Sequence, residues 1–148
     1  MGEAIHVNRA LSGTILAFDH GARDTGVAAG QTITRTARGV TTLKCRQGQP
    51  DWRQVKQLIK EYAPVQLVVG LPLNMDGTPT TVAPQAQAFA AELKRRSQLP
   101  VAMQDERLTT RAAYEILLEG GDAVQAGSDH EIAACLILED WLRAVSET

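Results

Sequence analysis

Residues 12–30 read SGTILAFDHGARDTGVAAG, and this stretch decides the fold. Thr14 to Phe18 are apolar or β-branched and lie between Gly13 and the polar segment DHGARD. A short run of that kind, bounded by turn residues, predicts a buried strand. GVAAG at 26–30 predicts a second strand running back beside it. Asp19 falls where the buried strand meets the glycine-containing turn. A carboxylate there either projects into the crevice at a strand end, where α/β sheets bind ligands, or bonds its own backbone and makes the turn. Gly21 and Gly26 permit a tight turn or close backbone approach. Arg23 and Asp24 lie on the turn.

Working outward, Gly30-Gln31 reads as a hairpin turn and 32–45 as a third strand, followed by a QGQPD loop at 47–51. Asp51 is a good N-cap for a helix whose apolar stripe is Trp52, Val55, Leu58, Ile59 and Tyr62, and Pro64 ends it. VQLVVGLP at 65–72 is apolar throughout, as a strand covered on both faces requires. LNMDGTPTT is a turn-rich loop. Residues 83–97 predict a helix with Pro84 early and Ala86, Phe89, Ala90 and Leu93 inward. PVAMQD at 100–105 predicts a fifth strand, 109–121 a helix closed by Gly120 and Gly121, and 121–128 a loop. A last helix starts at Ser128, where Ser128 and Glu131 have capping-box spacing. The order β-β-β-α-β-α-β-α-α predicts an α/β fold with a five-stranded mixed sheet flanked by helices. One domain over 1–148 is expected, with 1–12 as a flexible N-terminal extension.

Composition narrows the class. A chain of 148 residues can bury a core without disulfides. Cys45 and Cys135 are far apart and lack metal-ligand spacing, which suits reduced thiols in a cytoplasmic protein. The first ten residues lack a signal-peptide pattern, and no apolar run is long enough to span a bilayer. The net charge of −2 is unevenly spread. Residues 1–60 hold nine Lys/Arg against four Asp/Glu, whereas 101–148 hold three against ten. Such a division suits a protein that grips phosphates with one surface and metal ions with another. Aromatic residues make up only 4%, so base stacking should contribute less than backbone contacts.

Two further groups join Asp19 as candidates. Asp105-Glu106-Arg107 closes the fifth strand, and adjacent side chains on a strand point to opposite faces. Only one carboxylate can share the crevice of Asp19; Thr109 and Thr110 are the better helix caps, which leaves Glu106 for chemistry. Asp129 and His130 open the last helix, where carboxylate and imidazole both bind divalent metals. An acid on strand one, an acid on a later strand and a ligand at the final helix can hold one or two Mg2+ or Mn2+ ions. Those ions would activate water against a phosphodiester. Lys44, Arg46, Arg53, Lys56 and Lys60 could grip the nucleic-acid backbone.

Four blocks in order, FDHGARDTGVA (18–28), VVGLPLNMDGT (68–78), DERLTT (105–110) and AACLILEDWL (133–142), resemble the YqgF family, also called RuvX. Its members are described as Holliday junction resolvases and as pre-16S rRNA nucleases. The likeness runs from about Gly13 to Trp141. It implies an RNase H-like fold and catalytic, metal-binding roles for Asp19, Glu106 and an acid at the start of the last helix. It also implies a cytoplasmic nuclease that matures the 5′ end of 16S rRNA. In the family register the helix aspartate falls on His130, with Asp129 one place early. Either His130 is a neutral ligand, or Asp129 reaches in, or metal binding is weakened. Arg23, Lys44, Arg46, Asn74 and Arg107 are the candidate substrate contacts; Asn74 and Asp76 either line the cleft or make the turn. The partner is structured RNA (pre-16S rRNA) or branched DNA, not a membrane, and the chain is expected to be a monomer or weak homodimer. Cleavage of four-way DNA would need a symmetric dimer. A non-catalytic nucleic-acid or ribosome-assembly module is the reading of another class.

Overall fold

The structure, a computed structural model, describes residues 12–106 and 129–146. Strand β1 (Thr14–His20) pairs antiparallel with β2 (Asp24–Gln31), and β2 with β3 (Thr36–Arg46). A two-residue strand β4 (Gln49–Pro50) folds back on Cys45 and Arg46. Helix α1 (Trp52–Tyr62) leads to β5 (Gln66–Pro72), which lies parallel to β1. Helix α2 (Ala83–Ser97) leads to β6 (Val101–Glu106), parallel to β5. Helix α3 covers Asp129–Ser146. The sheet order is β4-β3-β2-β1-β5-β6.

The sheet therefore has six strands where the sequence suggests five. The added strand is β4, inside the expected QGQPD loop. Gln47 (φ 54°) and Gly48 (φ 77°) are both left-handed. Positive φ at both central residues is what closes a two-residue hairpin in the hand of the sheet twist. Pro50 is tolerated because β4 is an edge strand and its missing donor faces no partner. The expected turn at Gly30-Gln31 also moves. Gln31 still pairs with Thr36, and the reversal occupies residues 32–35, where Arg35 takes a left-handed φ of 55° and donates to the Gln31 carbonyl. The third strand accordingly begins at Thr36 rather than at residue 32. The helix expected at 109–121, the loop at 121–128, the cap at Ser128 and residues 1–11 of the N-terminal extension lie outside the described residues.

Strand alternation sends side chains to two cores. Leu16, Phe18, Val27, Leu67 and Val69 meet Val55, Phe89 and Leu93 of α1 and α2. Ile15, Ala17, Ala28 and Val68 meet Ala134, Cys135, Ile137, Leu138 and Trp141 of α3. The small residues of β2 let α3 come down closely. A methyl group on Gly26 would overlap the His130 carbonyl oxygen, so the first turn of α3 rests on bare backbone there.

Candidate active site

Asp19 has the parity of Ile15 and Ala17, which puts it on the α3 face of the sheet. Its cross-strand partner is Gly26, the residue on which α3 rests. Asp19 thus lies beside the N-terminus of α3 because a glycine leaves room for that helix. Phe18 pairs with Val69, and Asp19 and Gly70 are the next residues along. A methyl group on Gly70 would lie 2.9 Å from Glu106 Oε2, so the Glu106 carboxylate lies close over that glycine. Glu106 and Gly70 share the parity of Ala102 and Val68, on the α3 face. The structure therefore brings Asp19 and Glu106 to one face across β1, β5 and β6, both half-buried. Asp105 alternates to the other face, as adjacent residues on a strand must.

The first turn of α3 completes this end of the face. Asp129 and His130 are both exposed. His130 Nε2 is 3.4 Å from Asp24 Oδ2, while Asp24 Oδ1 is 3.1 Å from Lys44 Nζ. Thr42 donates its hydroxyl hydrogen to Glu131 Oε2 at 3.3 Å. These contacts anchor the start of α3 to β2 and β3. The spacing Asp24–Gly26 gives both residues one face, so pairing the hairpin through Asp19 and Gly26 would have placed Asp24 near the site; reading Asp24 as a turn residue hid this.

The other candidates are distributed differently. Lys44 joins the site through Asp24. Arg23 is exposed on the β1–β2 turn and Arg46 on β3. The Asn74 amide donates to Thr78 Oγ1 at 3.0 Å and to the Pro79 carbonyl, and Asp76 Oδ1 accepts from the Thr78 amide at 3.0 Å. Both side chains thus build the β5–α2 loop. Arg107 lies outside the described residues.

Behind Asp19, on the opposite face, His20 stacks on Phe89 with ring centroids 4.4 Å apart, and Trp52 stacks on the same phenyl ring at 5.5 Å. His20 Nδ1 is 3.1 Å from Thr25 Oγ1, which is in turn 3.1 Å from Cys45 Sγ. Burial lowers the His20 pKa, and a backbone hydrogen bond with Gly48 pulls weakly the other way. Burial raises the Cys45 thiol, and the Thr25 contact partly offsets it.

Oxygen donors on one face suit a hard divalent cation. Asp19 and Glu106 supply two, and Gly70 has no side chain, which lets Ile137 and the Glu106 carboxylate pack directly over its backbone. Among the described residues, no three His, Cys, Asp or Glu side chains stand close enough together to hold a metal ion. The two strand acids are the oxygen donors that β1 and β6 supply to this face.

This arrangement has the RNase H-like fold. RuvC of Thermus thermophilus in complex with a Holliday junction substrate superposes with a TM-score of 0.58 at 14% identity, covering 88% of this chain and 94% of that one. The fowlpox virus Holliday junction resolvase gives 0.52 at 15% identity, covering 91% and 99%. The family model "RuvX: Holliday junction resolvase" matches residues 13–144, and the chain belongs to that nuclease family. A relative from Actinobacillus pleuropneumoniae serotype 7 is 48% identical over 136 residues, covering 90% of this chain and 99% of its own. Another, from Pseudomonas fluorescens Pf0-1, is 51% identical over 134 residues, covering 86% and 90%. Both carry the name "Putative pre-16S rRNA nuclease".

Proposed function

We propose that the chain is a divalent-metal-dependent nuclease that matures the 5′ end of pre-16S rRNA in the cytoplasm. The observation that carries this reading is the convergence of Asp19 and Glu106 on one sheet face beside the N-terminus of α3. The names of the relatives supply the substrate. No helix among the described residues is long and apolar enough to cross a membrane.

Asp19 and Glu106 would hold the cation, Mg2+ or Mn2+. When bound, such an ion lowers the pKa of water and stabilises charge on a cleaved phosphodiester. The protein's own contribution is positional. The β1–β2 pairing fixes Asp19, the β5–β6 pairing fixes Glu106, and Gly70 lets the Glu106 carboxylate lie close over the strand. Arg23, Lys44, Arg46, Asn74 and Arg107 are the proposed substrate contacts. The third metal ligand comes from the first turn of α3. Titrating Mn2+ into Asp129→Asn and His130→Ala separates the two candidates, because only the true ligand's variant loses affinity.

The deciding experiment is cleavage of a pre-16S 5′-leader RNA with Mg2+ or Mn2+. The native chain should cut it, and Asp19→Asn and Glu106→Gln should each lose on the order of 100-fold or more, the scale of removing a group that stabilises transition-state charge. Failure of the native protein with both metals would overturn the reading. The family description favours one alternative, cleavage of four-way DNA by a symmetric dimer. A junction substrate in the same assay, with the mass in solution, tests it. The leading reading expects a monomer or weak homodimer.

A further inference from the structure

The basic residues of the first half of the chain are not spread evenly over it. From Lys44 to Lys60 there are five Lys/Arg and a single acid, Asp51. Asp51 is already engaged: its carboxylate caps α1 through the Arg53 amide at 3.0 Å and pairs with the Arg53 guanidinium at 3.3 Å. Where β3, β4 and the start of α1 meet there is a recess of about 570 Å3. Lys44, Arg46, Arg53, Gln49 and Gln54 line it, together with Asp51. Lys44 belongs to both regions, because its ammonium group also pairs with Asp24, which pairs with His130. The recess therefore begins where the candidate active site ends.

The charge continues beyond it. Arg53, Lys56 and Lys60 follow at intervals of three and four, which aligns them along one side of α1 over about 10 Å. Lys56 and Lys60 then border a second recess of about 530 Å3 between α1 and α2, together with Arg96, whose guanidinium lies 4.6 Å from the centre of the Trp52 ring.

We propose that this track, from Lys44 and Arg46 through Arg53 to Lys56 and Lys60, binds the phosphate backbone of an RNA duplex flanking the cleavage point. The inference rests on the nuclease reading and deepens it by placing a helical arm of the substrate around the β3–β4 edge of the sheet. Trp52, the aromatic beside the track, already stacks on Phe89 and lies under the Arg96 guanidinium, so what the track offers is a line of cations, which suits a uniform backbone. Duplex RNA is recognised mainly through its phosphates and 2′-hydroxyls. The amide of Gln54 offers both donor and acceptor groups to hydroxyls of that kind, and Gln49, whose oxygen accepts from the Trp52 indole at 3.1 Å, offers its NH2 group.

The test is binding of a blunt RNA duplex of about 16 base pairs to the full chain in EDTA, followed by fluorescence anisotropy over a salt series. Replacing Arg46, Arg53 and Lys56 by Gln together should weaken binding about tenfold and flatten the slope of log affinity against log salt by about 2–3. Arg46→Gln alone, away from the α1 cap, should carry about a third of that change. Replacing Arg35, Arg38 and Arg143 by Gln removes the same charge elsewhere and should leave affinity and slope unchanged. Equal losses in the two triple variants, or a duplex DNA bound as tightly and with the same sensitivity, would overturn the proposal. Asp19→Asn should bind the duplex as the native chain does. If the native chain binds the duplex with the expected sensitivity yet cuts no RNA, the nuclease reading fails and the phosphate track stands.

Discussion

Gly26 and Gly70 both lie under α3, but a methyl group would strike different things at each. At Gly26 it meets the backbone of His130, which cannot turn aside; at Gly70 it meets Ile137 Cδ1 at 2.5 Å and Glu106 Oε2 at 2.9 Å, the ends of side chains. Gly26→Ala should therefore cost about 3 kcal/mol or more, the upper range for overpacking, and should move the first turn of α3. Gly70→Ala should cost less in urea unfolding, about 1 kcal/mol, yet lower cleavage steeply by displacing the Glu106 carboxylate. Comparable unfolding losses would count against this account. His20 adds a pH effect. Its folded pKa lies below the ordinary value of 6.5, largely through burial. Between the two values the unfolded chain binds more protons, so stability rises with pH. The contribution is complete above about 6.5 and is lost as pH falls toward the folded value. The urea midpoint of the native chain should therefore drop between about pH 7 and pH 5 more than that of His20→Phe. The strand-end positions of Asp19 and Glu106 were legible in the sequence because strand ends and side-chain alternation are local. Asp24 and the packing role of Gly26 were not, because both depend on which residue faces which across the hairpin and on where a helix more than 100 residues later comes to rest.

At the level of elements, α1 shows both ends of a helix argument. Asp51 caps it as its position before Trp52 indicates. Asp51→Ala should cost about 1 kcal/mol in thermal or urea unfolding. Its other end is held by Ala63 in the left-handed region at φ 45°, whose amide donates to the Ile59 carbonyl. Glycine meets less resistance there, so Ala63→Gly should raise stability by about 0.5 kcal/mol. A decrease would show that the ordered alanine matters more than its strain. Helices α1 and α2 were legible because their apolar residues recur at helical spacing and prolines lie at their ends. Strand β4 was not, since two residues carry no periodicity. Its signal was the turn at Gln47-Gly48, a pattern less specific than Asn-Gly. The shift of the β2–β3 turn has a similar cause: Arg35 adopts positive φ, which residue preference alone does not suggest.

Across the whole molecule, the sheet separates two cores that differ in how they are sealed. The α3 side contains Cys135, buried, with its thiol pushed up to about 12 by burial and by the nearby Glu139 and Glu131 carboxylates. Cys45 on β3 is only half-buried. A thiol reagent at about pH 8, below the ordinary cysteine pKa, should modify Cys45 first, and Cys135 only at the rate at which α3 leaves the sheet. If Cys135 reacted as fast as Cys45 in the folded chain, the described packing of α3 would be wrong. The mixed sheet and its flanking helices followed from the order of strand and helix patterns, whereas the proximity of Asp24, Thr42 and Lys44 to the first turn of the last helix did not. That proximity arises because α3 crosses back over β1, β2 and β3. During synthesis those three strands emerge before α3, and the face that α3 covers waits for that helix. The hairpin can carry Asp19 long before then, but the face it shares with Glu106 and the start of α3 does not exist. A nascent chain therefore keeps one core open, and its proposed centre unassembled, until α3 has emerged and docked on the sheet.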